Sequence, residues 1–99
     1  MLKNPCHPGH VIRDNTLPAF GLSVAAAARV LHTDRLNLTK ILNGERALSP
    51  EMALKLDKAF GVDAELMISA QALYDLAQAE RRKEEITAPI ERQTLKAAA

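Results

Sequence analysis

The break His32-Thr33-Asp34, set between two short helical patterns, constrains this chain more than any other feature. Before it, Ser23 is a good N-cap, and Val24, Ala27, Ala28 and Leu31 recur at helical spacing. After it, Asp34 can cap a second helix, Arg35 to Asn43, in which Leu38, Ile41 and Leu42 fall on one side. Gly44 then stands where a left-handed glycine ends a helix. A turn of only about three residues forces the two helices to cross at close range. Ala28 suits that crossing, because a large side chain there would hold the helices apart.

The remainder reads as helices that could support this pair. Apolar content is carried by Ala, Leu, Ile and Val, with two Phe, one Tyr and no Trp, which favours an all-α fold. Asn4 to Gly9 reads as an extended arm entering a helix, with Pro8 near its first position. Pro18 is expected to stop that helix, and Gly21 marks a turn. Ser49-Pro50-Glu51 is a strong helix start, the stripe Met52, Leu56, Ala59 and Phe60 follows, and Gly61 ends it. Asp63 caps a fifth helix, with Leu66, Ala70, Leu73 and Ala77 as its expected buried face and Met67 and Tyr74 beside them. That helix is expected to run a turn or two past Ala79. Two regions result: 1–79, a helix-turn-helix domain with its motif at 23–44, and 80–99, a charged extension and flexible tail.

The packing residues leave the other side of Arg35–Asn43 to solvent. Leu36, Thr39, Lys40 and Asn43 lie there, with Arg35 and Asn37 near the N-terminus. These residues suit a DNA major groove. Arg and Lys pair with guanine, Asn with adenine, and Thr or Leu touches a thymine methyl. Ser23 at the start of the first motif helix can present backbone N–H groups to a phosphate. The net charge is only +1, from 13 basic and 12 acidic residues, so affinity must come from local placement. Ser23 to Arg46 is mildly positive, with Arg29, Arg35, Lys40 and Arg46 against Asp34 and Glu45. The expected DNA-contacting set is Ser23, Arg35, Leu36, Asn37, Thr39, Lys40, Asn43 and Arg46.

A family resemblance rests on several pieces in order: His7-Pro8-Gly9, Gly21-Leu22-Ser23, Ile41-Leu42-Asn43-Gly44, Ala53-Leu54-Lys55-Leu56, Phe60-Gly61 and Leu73-Tyr74-Asp75-Leu76. Together they resemble HigA-type antitoxins, within the Cro/C1-type (lambda repressor-like) helix-turn-helix regulators, over about His7 to Ala79. The resemblance implies a five-helix DNA-binding domain and a homodimer on a palindromic operator in double-stranded DNA. It also implies repression of its own operon and neutralisation of a HigB-type toxin, which resembles ribosome-dependent mRNA endonucleases. The chain departs from the family pattern at four places. His10 follows His-Pro-Gly where an acid is usual, Val24 replaces a frequent Gln, His32 replaces the turn glycine, and Leu66-Met67 replaces an aromatic pair. The fifth helix offers more apolar surface than a small core needs, so Leu66, Ala70, Leu73 and Tyr74 are the expected dimer face.

Other classes find little support. No nucleophile elbow, phosphate loop or HExxH signature is present, so no enzymatic activity is expected. Cys6, His7 and His10 lack an evident fourth metal ligand, and capping or packing at the first helix is the better account of them. No metal or cofactor is expected. The N-terminal stretch has no long apolar run, and no segment reaches the about 18 apolar residues of a membrane span. With one cysteine and no signal-peptide pattern, a cytoplasmic protein is expected. Two alternatives to the antitoxin reading are a stand-alone repressor and a protein-interaction module with vestigial DNA binding, the latter motivated by Val24 and His32. Glu80 to Glu85 is either a toxin-binding segment or a solvated helix end.

Overall fold

The computed structural model describes residues 4–96, and all regular structure among them is helical. Residues 1–3 and 97–99, the outer ends of the two expected regions, lie outside the described residues. In chain order come α1 (Pro8–Val11), a π-helical segment (Ile12–Thr16), α2 (Leu17–Ala19), α3 (Val24–Val30), α4 (Arg35–Leu42), α5 (Pro50–Phe60), α6 (Ala64–Glu80) and α7 (Lys83–Thr87).

The first three segments form one rod, because the backbone stays in the right-handed helical region across both junctions. Pro18 therefore does not stop the helix, contrary to the sequence expectation. In the π segment the Leu17 N–H donates to the carbonyl of Ile12, five residues back. This wider turn relieves the clash a proline ring otherwise makes with the carbonyl four residues before it. The rod ends at Phe20 and Gly21, where Leu22 N–H bonds the Leu17 carbonyl at 3.0 Å and Gly21 N–H bonds Pro18 at 3.1 Å. That pair of bonds satisfies carbonyls a helix end otherwise leaves open.

Helices α3 to α6 each begin on a side chain that the sequence marks. Ser23 accepts from Ala26 N–H, Asp34 from Asn37 N–H, Ser49 from Met52 N–H and Asp63 from Leu66 N–H, at 2.7–3.2 Å. Each such cap stabilises its helix by about 1 kcal/mol.

The core is formed by Ile12, Leu17, Ala27, Ala28, Leu31, Leu38, Ile41, Leu42, Leu48, Met52, Ala53, Leu56 and Met67. Ala27 and Ala53 are wholly buried, so a longer side chain at either would have to displace packed neighbours. The expected buried face of the fifth helix is corrected. Met67 and Gln71 are its buried residues, Ala70 and Ala77 are half-buried, and Leu66 and Leu73 are exposed. A polar group selects this face: the Leu48 N–H is buried, and it donates to Gln71 Oε1 at 2.8 Å. Gln71 Nε2 in turn donates to Asp75 at 3.0 Å. A buried N–H left open would cost about 1–3 kcal/mol, enough to hold Gln71 inward.

Beyond the core the molecule becomes elongated. Its radius of gyration is 17.9 Å and its longest extent 62 Å, against the roughly 13 Å radius usual for a compact chain of this length. The end of α6 and residues 81–96 lie away from the core, since every described residue from Gln78 onward is exposed. The helix stops at Glu80, short α7 follows, and residues 88–96 carry no helix.

Candidate nucleic-acid interface

The unit α3–turn–α4 is built as the spacing predicts. Ala27, Ala28 and Leu31 of α3 and Leu38, Ile41 and Leu42 of α4 are buried together. Between the helices, His32 has a positive φ of 50°. Its N–H bonds the Arg29 carbonyl, and Thr33 N–H bonds Ala28 at 3.0 Å. This is the capping pattern glycine usually completes, here completed by a residue that tolerates it at some cost. Lys55 of α5 reaches across and donates to the His32 carbonyl at 3.2 Å, tying the turn to the scaffold.

With its apolar side fixed inward, α4 turns the opposite side to solvent. Arg35, Leu36 and Asn43 are exposed there, and Asn37, Thr39 and Lys40 are half-buried. Leu36 is 63% exposed, an unusual position for a leucine on an otherwise polar face. Ser23 lies at the start of α3 with its hydroxyl already engaged as a cap. Val24, by contrast, packs against the core. Arg46 is also exposed and lies back along α4, because the chain reverses at Gly44, whose φ is 76°. Three bonds close that reversal, Gly44 N–H to the Ile41 carbonyl at 3.1 Å, and Glu45 and Arg46 N–H to the Lys40 carbonyl at 2.9 and 3.2 Å.

One contact was not legible in the sequence. Arg46 Nη1 donates to Asn37 Oδ1, and Asn37 Nδ2 donates to Thr33 Oγ1 at 2.9 Å. Thr33 and Asn37 are one helical turn apart, which hints at their contact. The arrival of Arg46 depends on the path after Gly44 and has no local signal.

The C-terminal end of α4 rests on the first rod. His7 is the N-cap of α1, its Nδ1 accepting from Gly9 N–H at 2.9 Å, as a capping role for this stretch requires. The imidazole is buried and meets the Tyr74 ring edge-on at 5.0 Å between centroids. Burial, and then the neighbouring His10, push its pKa below the ordinary 6.5, opposed by the Arg46 backbone and by Asp75. Burial thus favours the neutral form of His7, and His10 sits beside Gly44. The first rod, α6 and the loop after α4 therefore share one contact region.

Among the described residues no group of three or more His, Cys, Asp or Glu could hold a metal, and Cys6 is a free, exposed thiol. Nor is any helix among them long and apolar enough to cross a membrane.

Two short helices on a packed scaffold, the second with a polar outward face, define a helix-turn-helix DNA-binding domain. Residues 17–67 match the helix-turn-helix family, and the chain belongs to it, in the Cro/C1-type class. Virulence-associated protein A' of Dichelobacter nodosus is 44% identical over 78 residues, covering 78% of this chain and 67% of that protein. Among solved structures, antitoxin GraA superposes with a TM-score of 0.82 at 30% identity, over 91% of this chain and 98% of GraA. Pseudomonas aeruginosa antitoxin HigA, solved with the higBA promoter, superposes with a TM-score of 0.80 at 33% identity, over 92% and 100% of the two chains. The fold is thus the helix-turn-helix fold of HigA antitoxins.

Proposed function

We propose that this protein is a dimeric antitoxin that represses its own operon, placing α4 in the major groove of a palindromic operator and neutralising a HigB-type toxin. The carrying observation is the outward face of α4. Arg35, Leu36 and Asn43 are exposed, with half-buried Lys40 among them, on the side of α4 opposite its core-packed residues. Arg35 and Lys40 supply donors for guanine or phosphate, Asn43 a bidentate amide, and exposed Leu36 an apolar contact for a thymine methyl. Thr39 and Ser23 would add contacts to base or backbone. The likeness to an antitoxin solved on promoter DNA supports the same reading. The protein would act in the cytoplasm, with residues 80–96 as an arm distinct from the DNA-binding domain.

The dimer is proposed on the outer side of α6. Leu66, Leu73 and Leu76 are 69%, 51% and 58% exposed, with half-buried Ala70 between them. Tyr74, against His7, would mark the edge of this face. Pairing there would remove three leucines from water, each worth about 1.5–3 kcal/mol when fully buried. Two α4 helices would then address half-sites about 34 Å apart.

The test is a fluorescence-anisotropy titration against the DNA upstream of the gene. Wild-type protein should bind with steep salt dependence, and the double substitution Arg35→Ala with Lys40→Ala should weaken binding at least about 100-fold. Unaltered binding would remove α4 as the reading helix. Light scattering of Leu73→Lys should show a monomer. Co-expression with a neighbouring small basic protein should yield a stable complex if the toxin reading is right. DNA binding without such a complex would leave a stand-alone repressor. A complex without DNA binding would favour the interaction module, the reading that Val24, turned into the core at the start of α3, favours.

A further inference from the structure

We infer that Asn37 is a positioning residue and not a base reader: it holds the guanidinium of Arg46 for a DNA backbone phosphate, with Thr33 fixing the amide in turn. The inference rests on the DNA-binding reading above and sharpens it at one residue.

The direction of the amide follows from chemistry. A guanidinium only donates, so the Asn37 oxygen must face Arg46. The Asn37 NH2 then faces Thr33, whose hydroxyl oxygen accepts at 2.9 Å. Reading adenine bidentately would require Oδ1 and Nδ2 to address one base edge together, whereas here the oxygen is directed to Arg46 and the NH2 to Thr33, and only the second lone pair and second N–H remain. Turning the amide to a base would release Arg46 and leave Thr33 without its partner. Asn43, the exposed C-cap residue of α4, carries no such engagement among the described residues.

What Arg46 receives from this contact is orientation. Its side chain is long, its guanidinium lies in solvent, and no carboxylate pairs with it among the described residues. An unrestrained arginine would lose its rotamer freedom on binding DNA. One held by a planar amide has already lost much of it, and its remaining donors keep a fixed direction. Phosphate contacts set register without reading sequence. Loss of the Asn37 amide should therefore weaken binding to all sequences alike.

The experiment compares wild type, Asn37→Ala, Arg46→Ala, the double variant and Thr33→Val. Each is titrated against a duplex selected by the wild-type protein from a random library, over a salt series, with thermal unfolding as a control for folding. The selection is repeated with Asn37→Ala. Arg46→Ala should weaken binding about tenfold and lower the salt slope by about 0.9. Asn37→Ala should weaken it several-fold with the selected sequence unchanged, and Thr33→Val should weaken it in the same direction by less. The double variant should be no weaker than Arg46→Ala alone, since a positioning residue has nothing left to position. A changed preference at one base pair in the Asn37→Ala selection overturns the inference while leaving the DNA-binding reading intact. Losses that multiply in the double variant do the same. A wild-type protein that selects no sequence and binds no duplex at low salt overturns both.

Discussion

Gly9 lies so close to the carbonyl of Ile41 that a β-carbon on it would overlap that oxygen and stand 2.8 Å from the carbonyl carbon. Ile41 is buried and belongs to α4, the helix proposed to meet DNA. The N-terminal rod thus touches the backbone of α4 directly, and the angle of α4 depends on glycine at this position. The glycine is needed for space, not for its own backbone freedom.

Gly9→Ala should accordingly destabilise the fold by about 3 kcal/mol or more, because the obstacle is backbone and cannot swing aside. A urea titration followed by circular dichroism measures this. A midpoint within error of wild type would show that the rod can shift without cost. The neighbouring His10→Ala removes a side chain beside Gly44 without adding volume, and should cost much less.

His7 gives stability a pH dependence with a definite sign. Its folded-state pKa is lowered, chiefly by burial, so the folded chain binds fewer protons than the unfolded chain near pH 6.5. The stability this provides is full above the unfolded value and is lost as pH falls through it toward the folded value. His7→Asn keeps an acceptor for the Gly9 N–H but cannot titrate. It should cost about 1 kcal/mol at neutral pH from lost packing on Tyr74. Its stability should also fall less than that of wild type between about pH 7.5 and about pH 5.5. Parallel losses in the two proteins would assign the pH dependence elsewhere.

Gln71→Leu replaces a buried amide by a side chain of similar size. The Leu48 N–H then has no acceptor, and the expected loss is about 1–3 kcal/mol despite the gain in apolar character. Thermal unfolding decides the matter. A stabilised Gln71→Leu protein would mean that the Leu48 N–H finds another partner.

His32→Gly should stabilise the protein by a few tenths to about 1 kcal/mol. The residue sits at φ 50° and is exposed, so glycine removes strain and sacrifices no packing. Its contact with Lys55 uses the backbone carbonyl and survives the change. A lower thermal midpoint would show that the imidazole contributes a contact of its own.

Much of this architecture is local and was therefore legible. Ser23, Asp34, Ser49 and Asp63 act as caps because a hydroxyl or carboxylate reaches the N–H three residues ahead, whatever the rest of the chain does. The packing of Ala27, Ala28, Leu31, Leu38 and Ile41 follows from the helical period and the short turn. Pro18 does not break its helix because the effect of a proline depends on the turn before it, and here a π turn removes the clash. The inward side of α6 differs from expectation for another reason. An apolar count favours Leu66 and Leu73, but the buried N–H that selects Gln71 sits on Leu48, far away in sequence.

The sequence by itself therefore determined the starts of α3 to α6, their caps and the helix-turn-helix unit, since each depends on interactions within a few residues. Tertiary structure decided which side of α6 is buried, how closely Gly9 approaches Ile41, and that Asn37 is engaged by Arg46. Those relations join groups distant in the chain. They depend on where whole helices come to rest, and no local propensity encodes a meeting between backbones or side chains that only packing brings together.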